Sequence, residues 1–452
     1  MRSVLSRLIS RERALFVGAL FLGFICTALG VPLELVLFGL TLAAVGMFHR
    51  HALQAALSGL FFITLYKLFF GAFKTGRGPE GLGVHLLHEW VVLANLFALL
   101  LGFALLSKFF ERSRIPAALP RVLPDDWKGG FALLAAIFVL SSFLDNIAAA
   151  LIGGSVAGIV FRGRVHTGYL VAIVAASNAG GSWSVVGDTT TTMMWIDGVD
   201  PLDVLEAFVA AGVALVLFGV PASFQQHKHS PIASDAARDV EIDWPCAAIV
   251  ALILAAAIAA NVTINVKFGQ LSDQFPFIGM AVWVAIMIAS FWRVPEWSVL
   301  REAFKGSVFL LSLVLCASMM PVEKLPVASW QTALGLGFVS AVFDNIPLTA
   351  LALTQGGYDW GFLAYAVGFG GSMIWFGSSA GVALCNVYPQ GRSIGLWLKH
   401  GWHVVVAYVI GFFVMLTVQG WHPNAPHKSQ SSIPWNDAHA LLTQSALDRA
   451  AD

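Results

Sequence analysis

Apolar runs of about 20 residues recur along this chain, as from Ala14 to Val31 and from Trp402 to Val418, and each has the length an α-helix needs to cross the hydrocarbon core of a bilayer. A chain of 452 residues that is 58% hydrophobic and 12% charged carries more apolar surface than a water-soluble core could hide. The solvent is therefore expected to be lipid. Lipid offers backbone N–H and C=O groups no partner, which leaves spanning helices as the economical fold for such runs. The basic N-terminal stretch with Arg2, Arg7, Arg11 and Arg13 has the flavour of a signal peptide. Its apolar run is long and many more follow, so we read an internalised first helix.

Full spans are read near 14–31, 33–48, 54–73, 89–110, 165–196, 202–222, 245–261, 275–292, 303–320, 360–384 and 401–419, eleven in all. Two further apolar stretches, 129–160 and 327–354, are too long for one span and too short for two, and each is interrupted by Asp-Asn. Each reads as a re-entrant hairpin of two half-depth helices, an arrangement tolerated where protein or a water-filled cavity satisfies the turn. The alternative reading is a kinked helix with a polar bend. The expected fold is thus an all-α polytopic membrane protein of about eleven transmembrane helices plus two re-entrant hairpins. With the N-terminus inside, 19 of the 26 basic residues fall on the cytoplasmic side and 6 outside, with Lys67 in a span and expected to snorkel. That asymmetry supports a multi-pass protein of a bacterial inner membrane with its C-terminus outside.

The chain repeats itself. Ser141-Ser-Phe-Leu-Asp-Asn-Ile is answered by Ser340-Ala-Val-Phe-Asp-Asn-Ile at an offset of 199, and Gly180-Gly-Ser-Trp-Ser-Val-Val-Gly by Gly370-Gly-Ser-Met-Ile-Trp-Phe-Gly at an offset of 190. On the topology above the first hairpin enters from the cytoplasm and the second from outside, so the repeats are inverted, as in alternating-access transporters. The expected organisation is an extra helix in 1–31, a first repeat over 32–224, a cytoplasmic linker over 225–243, a second repeat over 244–420 and a polar tail over 421–452. Within the repeats lie the hairpins 129–160 and 327–354 and the broken helices 165–196 and 360–384.

Asp145 and Asp344 are the sharpest chemical signals, because a carboxylate deep in an apolar segment is costly unless it meets a cation, a proton or a polar cavity. Capping the following half-helix is their structural alternative, and the two duties are compatible. Asn146 and Asn345 would add neutral oxygens suited to a hard cation such as sodium, or serve as turn residues. From Ser177 to Thr192 the fifth span is broken by small and polar residues that include Asn178, Asp188, Thr190 and Thr191. Glycines there allow unwinding, and Asp188 is either a third intramembrane carboxylate or an N-cap. Its counterpart is Ser378, followed by Ser379, so the two halves differ chemically. The sodium ion is expected nearest Asp145, Asn146 and Asn178, with Asp344 completing the site or carrying the proton. His88 and Glu89, beside His85, could form a proton path or be an interfacial cluster.

Several classes are set aside. Cys26, Cys246, Cys316 and Cys385 are scattered through apolar stretches without CxxC spacing, and no GxxxxGK[ST] phosphate loop occurs, which argues against metal or redox pairs and against direct ATP coupling. Basic and acidic residues balance at 26 each and give no reason to expect nucleic acid. The 15 tryptophans suit interfacial belts.

Phe143-Leu-Asp-Asn, Asn178-Ala-Gly-Gly-Ser-Trp-Ser-Val-Val-Gly-Asp-Thr-Thr and Phe343-Asp-Asn-Ile-Pro together resemble the NhaD-type sodium/proton antiporters of the ion transporter (arsenite/citrate permease-like) superfamily. The resemblance covers roughly residues 85–415. It implies inverted repeats whose hairpins meet broken helices at a cation site, a homodimer with scaffold and moving regions, and no enzymatic activity or cofactor, sodium being substrate. Carried over, the site comprises Asp145, Asn146, Asn178, Asp188, Thr190, Thr191, Ser340, Asp344, Asn345, Ser378 and Ser379. One departure stands out: Asn95-Leu96-Phe97 replaces the family's Glu-Leu-Phe. If that Glu takes part in proton coupling, coupling here is altered or passes through Glu89. The expected partners are the bilayer, a monovalent cation and protons. A cation-coupled di- or tricarboxylate symporter is the second reading, and a non-transporting sensor or assembly subunit the third.

Overall fold

A computed structural model describes residues 18, 20–48, 51–118, 123–232, 241–267 and 274–424, and among these residues the regular structure is helical, without strands. The order is α1 (20–28), α2 (Leu33–Met47), α3 (Ala52–Phe69), α4 (Gly78–Arg112), α5 (Ile115–Ala118), α6 (Trp127–Ser141), α7 (Asn146–Val160), α8 (Thr167–Gly181), α9 (Thr189–Ile196), α10 (Pro201–Leu205) and α11 (Ala207–His229). It continues with α12 (Trp244–Lys267), α13 (Phe277–Ser290), α14 (Leu300–Ser318), α15 (Trp330–Ser340), α16 (Asn345–Gln355), α17 (Trp360–Gly370), α18 (Ser379–Val387) and α19 (Ile394–Gln419). Among the described residues, five segments are long and apolar enough to cross a membrane: Ala52–Phe69, Gly78–Ala118, Pro201–His229, Trp244–Ile264 and Ile394–Gln419. The protein is consistent with a polytopic membrane protein.

Helix ends differ from the sequence expectation where apolar content is a poor guide to where a helix stops. α4 starts at Gly78, eleven residues before the expected 89, because Pro79 fits the first turn and nothing in the polar stretch that follows breaks a helix. α11 runs on to His229, past the expected start of the linker at 225; residues 233–240 of that linker, and the polar tail beyond Asn424, lie outside the described residues. Over 165–196 the helices are α8 and α9, separated by 182–188, and over 360–384 they are α17 and α18, separated by 371–378.

Two apolar cores organise the chain. One is built by residues of α6, α7, α8 and α11 together with α15, α17 and α19, and includes Ile137, Ile173, Phe218, Phe362 and Tyr408. The other is built by α3, α4 and α12–α14, including Leu99, Leu106, Val282 and Leu313. Leu144, Met193, Ile196, Ile346 and Ala350 also belong to the second core, so the α6–α7 turn, α9 and α16 form the seam where the cores meet.

Corresponding elements of the two halves are held alike. Asp126 caps α6 by accepting from the Lys128 N–H at 2.9 Å, and Ser329 caps α15 in a reciprocal capping box with Thr332. α6 packs on α7 and α8, and α15 on α17, while the Gln355 amide donates to the Pro326 carbonyl at 2.7 Å and ties the far ends of α15 and α16 together. α7 packs against α18 of the other half, and α9 against α16. The halves are thereby cross-braced through the second part of each broken helix.

Candidate functional site

The site grows out of four interruptions in helical structure. The chain leaves α6 at Ser141 and re-enters helix at Asn146, with Asp145 in the N-cap position; it does the same between Ser340 and Asn345, with Asp344 as cap. In the second turn the Ile346 N–H donates to Asp344 Oδ1 at 3.1 Å, and the Ser379 hydroxyl donates to Oδ2 at 3.1 Å. Capping and a chemical duty therefore share one side chain at this position.

The breaks in α8 and α17 lie against these turns. Beside Gly187, a Cβ would run into the carbonyl of Ser141, and beside Gly377 into that of Ala341, so in each half a glycine lets the unwound linker touch its own turn. Two serines stabilise the broken ends: Ser141 Oγ donates to the Ser177 carbonyl at 2.5 Å, and Ser340 Oγ donates to the Val367 carbonyl at 2.7 Å. These bonds are mates under the offsets of 199 and 190 found in the sequence. Ser141→Ala and Ser340→Ala should each cost about 1 kcal/mol, the net worth of a typical hydrogen bond, and should add in the double variant because they lie in different halves. Denaturant unfolding of the detergent-solubilised protein reads this, and a double variant as stable as the wild type would remove the serines from the account.

Thr190, Thr191 and Thr192 organise the linker 182–188. Thr191 Oγ1 donates to the Ser184 carbonyl at 2.6 Å, Thr192 Oγ1 to the Val185 carbonyl at 3.0 Å, and Thr190 Oγ1 to Asp188 Oδ2 at 3.0 Å. The same Asp188 oxygen accepts from Asn345 Nδ2 at 3.1 Å, a bond from the second half into the first. Asn178, fully buried, takes the Asn146 amide hydrogen on its Oδ1 at 3.1 Å and donates from Nδ2 to Ser372 and Ser378 at 3.0 and 3.1 Å. Ser378 also caps α18 by accepting from the Gly381 N–H at 3.2 Å.

A cavity of about 200 Å³ opens at this convergence. One wall carries Asp145, Asn146, Asp188, Asn345 and Ser379; the other is a stripe of Leu96, Leu99, Leu100, Phe103 and Ala104 on α4, facing Leu310 and Gly306 on α14. Of the residues expected at the site, Asp145, Asn146, Asp188, Asn345 and Ser379 line this cavity, whereas Asn178, Thr190, Thr191, Ser340, Asp344 and Ser378 form the hydrogen-bonded layer behind it. Among the described residues, no Lys, Arg or His lies within ion-pairing distance of Asp145, Asp188 or Asp344. Asp188 is 2% exposed. Carboxylates at such depth without a basic partner are costly unless a cation or proton joins them.

The other expected residues sit elsewhere. Glu89 lies two turns before Leu96, the first cavity residue of α4, about 10 Å along the helix, and His88 beside it is exposed. Asn95 points away from the cavity: its Oδ1 accepts the Gly279 N–H in the first turn of α13 at 3.0 Å, tying two helices of the second core. Lys67, rather than snorkelling, is buried and donates to the Ala72 carbonyl at 2.6 Å, where it closes the end of α3. Sequence reasoning missed Ser372, although it aligns with Ser182 in the repeated Gly-Gly-Ser.

The chain is 26% identical over 340 residues to Sodium/proton antiporter 1 of Arabidopsis thaliana, a match that covers 66% of this chain and 56% of that protein. It is 28% identical over 338 residues to Na(+)/H(+) antiporter NhaD of Alkalimonas amylolytica, covering 63% and 67%, and 27% identical over 315 residues to the protein of that name from Vibrio parahaemolyticus, covering 57% and 72%. The match to the plant relative thus spans little more than half of that protein's length. These names coincide with the family whose motifs the chain resembles. No protein-family model matches the chain.

Proposed function

We propose that this chain is a secondary transporter of a bacterial inner membrane that exchanges sodium for protons. The observation that carries the reading is the convergence of Asp145 and Asp188 on one cavity without, among the described residues, a basic side chain to neutralise them. Sodium is a hard cation that is satisfied by oxygen. The Asp145 carboxylate, the amide oxygens of Asn146 and Asn345 and the second oxygen of Asp188 are the donors at hand. A carboxylate cannot hold a proton and a sodium ion together, so each displaces the other, and that competition is the elementary event of antiport. Asp344, set behind the cavity and bonded to the hydroxyl of Ser379 on its wall, is the group through which the proton is handed on.

The same reading takes the turns at Asp145 and Asp344 as the tips of two re-entrant hairpins in inverted repeats, among about eleven spans with the N-terminus inside. The exchange of α7–α18 and α9–α16 packing between halves supports it, as do the paired offsets. The activity for which the relatives are named, sodium/proton antiport, is in accord. Purified protein in liposomes bearing a pH gradient should dissipate the gradient on a sodium pulse and remain indifferent to citrate or succinate. Gradient collapse with a carboxylate and none with sodium would replace antiport by anion symport.

A further inference from the structure

We propose, on the basis of that reading, that Ser372 is a positioning residue for cation binding, acting through Asn178 to set which end of the Asn146 amide meets the ion. An asparagine side chain has a donating NH₂ end and an accepting oxygen end, and only the oxygen attracts a cation. Asn146 lines the cavity, so its polarity matters there.

That polarity is set two residues away. Ser372 and Ser378 receive both hydrogens of Asn178 Nδ2, at 3.0 and 3.1 Å. In this arrangement Asn178 Oδ1 faces the α6–α7 turn, where it takes the Asn146 Nδ2 hydrogen at 3.1 Å and leaves the Asn146 oxygen as the end available to an ion. Ser372 is itself held: the indole N–H of Trp397 on α19 donates to its backbone carbonyl at 3.1 Å, and both residues are fully buried. The chain of bonds runs from α19 through Ser372 and Asn178 to the residue beside Asp145.

The second half reaches the same result differently. Under the offset of 190 the counterpart of Asn178 is Gly368, which provides no amide, and Asn345 is oriented directly by its 3.1 Å bond to Asp188. Asn345 also lines the cavity. The relay through Ser372 therefore serves the asparagine of the first half alone, where no carboxylate does the orienting.

The test measures the sodium concentration giving half-maximal collapse of an imposed pH gradient in proteoliposomes, for wild type, Ser372→Ala, Asn178→Ala and the double variant. Ser372→Ala should raise that concentration about fivefold, the factor expected for one net hydrogen bond, while the maximal rate stays within about twofold. In the Asn178→Ala background the same change should have almost no further effect. Trp397→Phe, which keeps the ring and removes the donor, should shift half-saturation the same way by a smaller factor. An unshifted Ser372→Ala, or an effect of equal size with and without Asn178, would overturn the inference while leaving antiport standing. A wild type that ignores sodium would overturn both.

Discussion

Asp145→Asn is expected to lower sodium-dependent proton movement by about a hundredfold or more, with the protein still inserted and folded. The substitution keeps the shape of the side chain and removes the charge for which sodium and proton compete. A charge-assisted contact of about 3 kcal/mol corresponds to roughly that factor in binding. Asp188→Asn should act in the same direction, since Asp188 shares the cavity wall. Asp344→Asn should differ in kind. Its carboxylate is bonded to Ser379 and the Ile346 N–H behind the wall, so a loss of rate with little change in sodium half-saturation is expected. Fluorescence quenching of a pH-sensitive dye in everted vesicles separates these cases. Wild-type exchange in Asp145→Asn would remove that residue from the mechanism.

The second large effect concerns the fold. A Cβ at Gly180 on α8 would collide with the backbone of Phe138 on α6, and one at Gly370 on α17 with the backbone of Gly337 on α15. Backbone cannot move aside as a flexible side-chain end can, so Gly180→Ala or Gly370→Ala should destabilise by about 3 kcal/mol or more, at the upper end of overpacking. Gly335→Ala, on the same α15 but with open space around it, is the control and should be neutral or slightly stabilising. Melting temperature and monodisperse yield in detergent report the difference. Equal behaviour of Gly370→Ala and Gly335→Ala would show that α15 and α17 do not approach as described.

Asp145 and Asp344 were legible in the sequence because charge is rare in an apolar segment, and the breaks in α8 and α17 because glycine, serine and threonine interrupt otherwise aliphatic runs. The repeat offsets were legible too, but the close backbone approaches at the repeated glycines were not. The shared Gly-Gly looked like a device for unwinding, whereas Gly180 and Gly370 are where two backbones press together. Asn178 was expected among the oxygen ligands, and Ser340 entered the site through the resemblance, but neither route reports which neighbour each side chain already bonds. Ser372 was hidden for the same reason: one serine among many says nothing until Asn178 is seen to point at it. The role of Asn95 as a tie to α13 depends on a contact across 184 residues of chain, which no local pattern encodes.

The cross-bracing of the halves bears on how the protein is made. α7 and α9 emerge from the ribosome long before α18 and α16, the helices on which they finally rest. During that interval the first half holds its two carboxylates at an unfinished wall, for Asn345, which bonds Asp188, has yet to be synthesised. Completion of the centre thus waits until α16 has been made. A nascent chain interrupted before α16 would carry Asp145 and Asp188 but lack the Asn345 amide that completes their wall.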